Sequence, residues 1–103
     1  MKKVEAIVRT VALGGIMKSL EGRGIKGMTI YEVKGIGEQV QLYYSYTIHN
    51  RIEIIVPDDK VDEVVKVILD QAHTGLAGDG LIAVYPLDYM IKIRTKERFE
   101  QNE

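Results

Sequence analysis

Apolar and polar residues alternate at the start of the chain. In VEAIVR, Val4, Ala6 and Val8 fall on one side of an extended segment and Glu5, Ile7 and Arg9 on the other, which predicts a strand. The spacing changes in VALGGIMKSLEGRG, where Leu13, Ile16, Met17 and Leu20 recur at helical intervals and Gly22 and Gly24 supply a stop. Gly14 and Gly15 each weaken that helix by about 1 kcal/mol relative to alanine, so its first turn is left open. KGMTIYEVKG predicts a second strand. NRIEIIVP predicts a third, with Ile52, Ile54 and Val56 inward and Glu53 and Ile55 on the opposite face. The clearest helix is DDKVDEVVKVILDQAH, whose Val61, Val64, Val65, Ile68 and Ala72 make one stripe. Asp58, Asp59, Asp62 and Glu63 crowd its start, where the helix dipole favours anions. LIAVYP and YMIKIR close the pattern as strands on either side of a Pro86-Leu87-Asp88 turn.

The order strand, helix, strand, strand, helix, strand is that of an α+β, ferredoxin-like βαββαβ sandwich, here with a short extra C-terminal strand. Residues 1–103 are expected to form a single domain, because 103 residues suffice for one core and no linker or low-complexity stretch interrupts them. Both helices should cover one sheet face. The other would carry Ile7, Tyr31, Val33, Ile55, Leu81, Ala83 and Tyr85, which is too apolar to meet only water. Burial against further copies of the chain is the preferred reading, and an exposed sheet the alternative.

Composition narrows the chemistry. An apolar content of 46% and a charged content of 28% are those of an ordinary soluble protein. A net charge of -1 gives no drive toward nucleic acid or anionic membranes. Cysteine is absent, which excludes disulfides and thiolate metal sites. With no apolar targeting segment or membrane span, a cytoplasmic location without direct membrane insertion is expected. No serine, cysteine or lysine nucleophile stands out, and the paired acids belong to a helix start. His49 and His73 lack partners at ligand spacing, so no metal is required; His73, at a helix end, suits a dipole-paired or phosphate-facing role.

Two features suit an anion. In HTGLAGDGLI, Gly78-Asp79-Gly80 follows a helix, and glycine there allows consecutive N–H groups to turn toward a phosphate. Taken alone, the same residues read most simply as a helix-to-strand turn. Lys92, Arg94, Lys96 and Arg98 occupy alternate positions, so an extended chain would present them on one side; a solvated basic tail is the equal alternative.

MKKVEAIVR, GIKGMTIYEVKGIG, IEIIVPDDKVDEVVKVI, HTGLAGDGLI and IKIRTKER together resemble the nitrogen-regulatory PII signalling proteins over nearly the whole chain apart from residues 38–50. The resemblance implies a homotrimer with an adenine nucleotide in each intersubunit cleft and no catalytic chemistry of its own. It also implies a loop after the second strand that docks on a regulated membrane transporter or enzyme. By the same resemblance, Gly78, Asp79 and Gly80 cradle phosphates, with Lys92 and Arg94 at the positions of two phosphate-contacting arginines. Gly27, Met28 and Thr29 would line the base pocket from a neighbour; Gly35 and Gly37 would mark where the loop leaves its strand, and Ile7, Glu53 and Ile55 would wall the cleft. On their own, Met28 is more simply a core residue and Thr29 a strand residue.

The departures from the family pattern shape the expected ligand. Leu81 stands where a phosphate-binding lysine is usual, and Glu38 where an arginine is common. Two lost charge-assisted bonds, at roughly 1.5–3 kcal/mol each, weaken triphosphate binding by about 10²–10⁴. ADP or AMP is therefore expected to be favoured over ATP. The docking segment, residues 36–49, is shortened and lacks the family's uridylylation-tyrosine motif, while offering Tyr43, Tyr44 and Tyr46 as an aromatic docking surface. Its alternating pattern fits a plain hairpin equally well. Gln39 matches a residue that contacts metal and 2-oxoglutarate, but the lysine at the loop's far end is replaced by His49 or displaced to Arg51, which argues against 2-oxoglutarate sensing. The alternative to the whole reading is a structural or metal-tolerance trimer without a nucleotide site.

Overall fold

The computed structural model describes residues 1–25, 27–35, 41–42 and 45–100. The strands are β1 (Lys2–Val8), β2 (Thr29–Gly35), β3 (Gln41–Leu42), β4 (Ser45–Val56), β5 (Leu81–Pro86), β6 (Tyr89–Lys92) and β7 (Glu97–Glu100). Helix α1 (Leu13–Gly22) follows β1, and α2 (Val61–Ala72) follows β4, each entered through a single 3-10 turn. The main sheet has the order β2-β4-β1-β5 with antiparallel neighbours, and β3 adds to the outer end of β4. This is the ferredoxin-like arrangement that the element order predicts.

The alternation in β1 and β4 does what the pattern requires. Val4 pairs with Ile54 and Ala6 with Ile52, so the apolar positions of both strands stand on one face. They are buried there against Ile16 and Leu20 of α1 and Val61, Val64, Val67 and Ile68 of α2. Each such side chain removed from water contributes about 1.5–3 kcal/mol, which holds both helices to this face. Gly14 and Gly15 both lie inside the helix, which starts at Leu13 and ends at Gly22.

Three details differ from the pattern. Met17 is 44% exposed and borders a groove with Ile25, Met28 and Ile30 instead of entering the core. Val67 is buried, while Val65 and Leu13 only pack against the core's margin. The C-terminal segment does not continue as one extended run. β6 ends at Lys92 and turns back into β7, forming a separate two-stranded sheet, and Lys96 has a left-handed φ of 62° at the turn.

That turn corrects the expected basic row. Lys92 pairs with Glu97 and Arg98 with Ile91, so Lys92 and Arg98 lie on opposite faces of the hairpin. The Lys92 ammonium sits 5.2 Å from the centre of the Phe99 ring, while the Arg98 guanidinium lies 4.0 Å from that of Tyr89. Arg98 also pairs with Glu100 at 2.5 Å. Arg94 and Lys96 occupy the turn itself, so the four basic residues make no single stripe.

Candidate functional site

The glycine loop begins where α2 ends. His73 caps the helix in an extended conformation, its N–H bonded to the Leu69 carbonyl at 3.0 Å. The Asp79 side chain then closes Thr74–Asp79 into a compact turn. Its Oδ2 accepts the Thr74 N–H at 2.8 Å and the Gly75 N–H at 2.9 Å, and its Oδ1 accepts the Thr74 hydroxyl. The Thr74 Oγ1 in turn accepts the Leu76 N–H at 3.1 Å. A short carboxylate that bonds N–H groups four and five residues back replaces the helical ladder the chain has just left.

Arg9 holds this turn from the far end of β1. Its Nη1 lies 2.5 Å from Asp79 Oδ1, and its Nη2 donates to the Ala77 carbonyl at 2.8 Å. Bonds from the Thr74 hydroxyl and backbone, joined by those of Gly75 and Arg9, hold the Asp79 carboxyl well below the usual carboxylate range. Asp79 thus spends its carboxylate inside the loop, which leaves only its backbone for a ligand. From the opposite side His49, 1% exposed on β4, meets the Gly78 carbonyl with its Nε2 at 2.9 Å.

The loop is seated against β1 at Gly80. Its φ of 103° lies in the region that favours glycine, and a Cβ there would collide with the Ile7 carbonyl oxygen. β5 then starts at Leu81, paired with Ile7. Leu81 is 46% exposed and borders an apolar cavity of about 540 Å³ between α2 and β5. Among the described residues, His73 and Asp79 supply that cavity's polar side chains, and no lysine or arginine lines it.

On the uncovered sheet face, Ile7 lies in one row with Leu81, Arg51 and Tyr31. Ile55 on the same face is 41% exposed, and Tyr85 44%. A charge network runs among these apolar residues. Arg51 Nε lies 2.5 Å from the buried Glu5 carboxylate as an ion pair without hydrogen-bond alignment, and Arg51 Nη2 donates to Glu53 Oε2 at 3.2 Å. Tyr31 donates its hydroxyl to Glu53 at 2.9 Å, and the Lys3 ammonium approaches Glu53 at 3.8 Å. The Tyr31 bond, then Lys3 and Arg51, keep the Glu53 carboxyl below its ordinary value.

The expected site residues therefore fall into separate groups. Ile7, Gly78, Asp79 and Gly80 meet where β1 ends and β5 begins. Thr29 pairs with Glu53 farther along the sheet, and Gly35 pairs with Thr47 at the end of β2. Gly27 and Met28 lie between α1 and β2, with Met28 packed against the core margin. Lys92 and Arg94 ride on the C-terminal hairpin, outside the main sheet. Gly37, Glu38, Gln39, Tyr43 and Tyr44 lie outside the described residues, whereas Tyr46 pairs with Gln41 through the backbone of β4. The hairpin reading of this segment holds for residues 45–48, which extend β4 against β2 and β3. Arg9, His49 and the structural use of Asp79 were missed by sequence reasoning. Only Asp79 carried a local signal, as an Asx residue within a glycine turn.

Among the described residues, no group of three or more His, Asp or Glu side chains is placed to hold a metal ion. Nor is any of their helices long and apolar enough to cross a membrane.

Known proteins place this architecture. The family model described as nitrogen regulatory protein P-II matches residues 1–97. A nitrogen regulatory protein P-II of Haemophilus influenzae is 39% identical, over 97% of this chain and 97% of its own length. One from Nostoc punctiforme is 42% identical, over 95% and 96% of the two chains, and the P-II 1 protein of Escherichia coli is 42% identical over 94% and 95%. The Haemophilus alignment runs over 109 residues, more than the 103 of this chain, so the relative carries residues with no counterpart here. With the fold, the glycine loop and the near full-length matches in agreement, the chain belongs to the PII family of nitrogen-regulatory signalling proteins.

Proposed function

We propose that the chain works as a cytoplasmic homotrimer that binds an adenine nucleotide in each intersubunit cleft and, through residues 36–49, regulates a transporter or enzyme. The observation that carries this reading is the preformed glycine loop. Asp79 and Arg9 fix its path, and Gly75, Gly78 and Gly80 take positive φ. A loop ordered before its ligand arrives loses little conformational freedom on binding.

In this reading Gly78, Asp79 and Gly80 hold phosphates through backbone N–H groups. Ile7, Gly35, Gly37, Glu53 and Ile55 wall the cleft. Gly27, Met28 and Thr29 face the base, and Lys92 and Arg94 supply cationic contacts. The separate position of the β6–β7 hairpin supports a contribution of those two residues to another subunit's cleft. Tyr43, Tyr44 and Tyr46 form the docking surface. Leu81 and the cavity beside it offer no lysine or arginine to a terminal phosphate, so ADP and AMP are favoured over ATP.

A melting screen with AMP, ADP and ATP tests this. A ligand that binds only the folded protein raises the midpoint with concentration, by about 2.7 kcal/mol of stabilisation at a hundredfold excess over Kd. ADP or AMP should give the larger rise. No response to any nucleotide from a chain that light scattering shows to be trimeric would favour a purely structural assembly; a monomer would remove the intersubunit cleft altogether.

A further inference from the structure

We infer that Arg9 and His49 are positioning residues that hold the backbone from Ala77 to Asp79 in place, and that His49 thereby ties the phosphate cradle to β4. The inference rests on the nucleotide reading for its ligand, but its geometry stands on the loop itself.

Two successive carbonyls are pinned by side chains from other parts of the fold. Arg9 Nη2 donates to Ala77 O at 2.8 Å and His49 Nε2 meets Gly78 O at 2.9 Å. A carbonyl oxygen only accepts, so the His49 proton sits on Nε2. Among the described residues no peptide bond is cis. In a trans peptide the C=O of one residue and the N–H of the next point in opposite directions. Fixing Ala77 O on Arg9 therefore turns the Gly78 N–H away from Arg9, and fixing Gly78 O on His49 turns the Asp79 N–H away from His49. The side chains of Asp79 and Thr74 accept the N–H groups of Thr74, Gly75 and Leu76, all ahead of this pair. Gly78 is buried and lies with Ala77 in a turn, so these two carbonyl bonds fix the amides that a backbone anion site would use.

His49 has the further property of its location. It pairs with Val33 of β2, so it sits in the ladder from which residues 36–44 emerge. A displacement of that ladder moves the Gly78 carbonyl and re-aims the Asp79 N–H. Conversely, a ligand on the cradle pulls on β4 through one buried bond. Such a bond transmits only a difference in free energy between states that strain it unequally.

A matched pair of substitutions tests the role. His49→Gln keeps a donor at similar reach, and His49→Met has a similar length without one. Calorimetry on the intact trimer should show ADP affinity within about threefold of wild type for His49→Gln and about tenfold weaker for His49→Met, the size of one hydrogen bond. Adenosine, which has no phosphate, should bind all three alike. NMR relaxation of the free proteins should show the Gly78 and Asp79 amides more mobile in His49→Met only. Equal ADP affinity for both variants, or unchanged amides in His49→Met, would overturn the inference. If wild type binds no ADP the nucleotide reading fails, and the amide measurement still decides whether His49 positions the loop.

Discussion

Gly80→Ala is expected to lower the melting midpoint by more than about 10 °C at equal protein concentration. Gly80 has a φ of 103°, and a Cβ would strike the Ile7 carbonyl, a backbone atom that no rotamer change can move. Relief demands either lifting the loop from the end of β1 or giving up the Ile7–Leu81 pairing that starts β5. Strain of this kind together with lost pairing costs about 3 kcal/mol or more, and a chain of this size loses about 4–8 °C per kcal/mol. The comparison needs equal concentrations because self-association, where it occurs, adds to apparent stability. A midpoint within a few degrees of wild type would mean that the loop does not rest on β1 as described.

Asp79→Asn is the second large effect, and its sign depends on pH. The folded Asp79 carboxyl titrates below its unfolded value, chiefly because of the Thr74 bonds. A depressed carboxylate contributes its full stabilisation above the unfolded value of about 3.9 and loses it as pH falls toward the folded one. The variant should therefore melt several degrees below wild type from pH 5 upward, with the gap narrowing below about pH 4. Asparagine retains one acceptor oxygen but loses the charge that Arg9 faces, so the loop should also loosen. ADP affinity is expected to fall about tenfold, equivalent to one well-made hydrogen bond. Melting curves from pH 3 to 8 check the first point and calorimetry the second. A gap that widens in acid would refute the proposed role of this carboxylate.

The sheet and helices were legible in the sequence because their apolar spacing is regular. Val4, Ala6, Val8, Ile52, Ile54 and Val56 alternate without exception and all six are buried. In α2 the stripe was readable but its edges were not, since Val64, Val65 and Val67 are the same residue type and only packing selects among them. Met17 failed for a related reason: helical spacing placed it on the stripe's margin, where a groove replaces the core. The basic row failed because alternate spacing implies one face only if the chain stays extended. Thr95 Oγ1 accepts the Glu97 N–H at 3.2 Å and the Lys96 N–H bonds back to the Lys92 carbonyl at 2.7 Å, which turns the chain instead.

At the candidate site the division is sharper. The glycines and Asp79 announced a loop, but not what the carboxylate does. Arg9 reaches Asp79 across 70 residues of sequence, and His49 reaches Gly78 across 29. Contacts of that kind leave no periodic trace, because they depend on where whole strands end. Leu81, by contrast, was legible as a missing charge, and the apolar cavity beside it fits that reading.

The most direct measurement of the central claim is calorimetric titration of the wild-type protein with AMP, ADP and ATP. The account predicts one nucleotide bound per chain, with ADP or AMP tighter than ATP. No heat with any of the three, or ATP bound much more tightly than AMP, would contradict it.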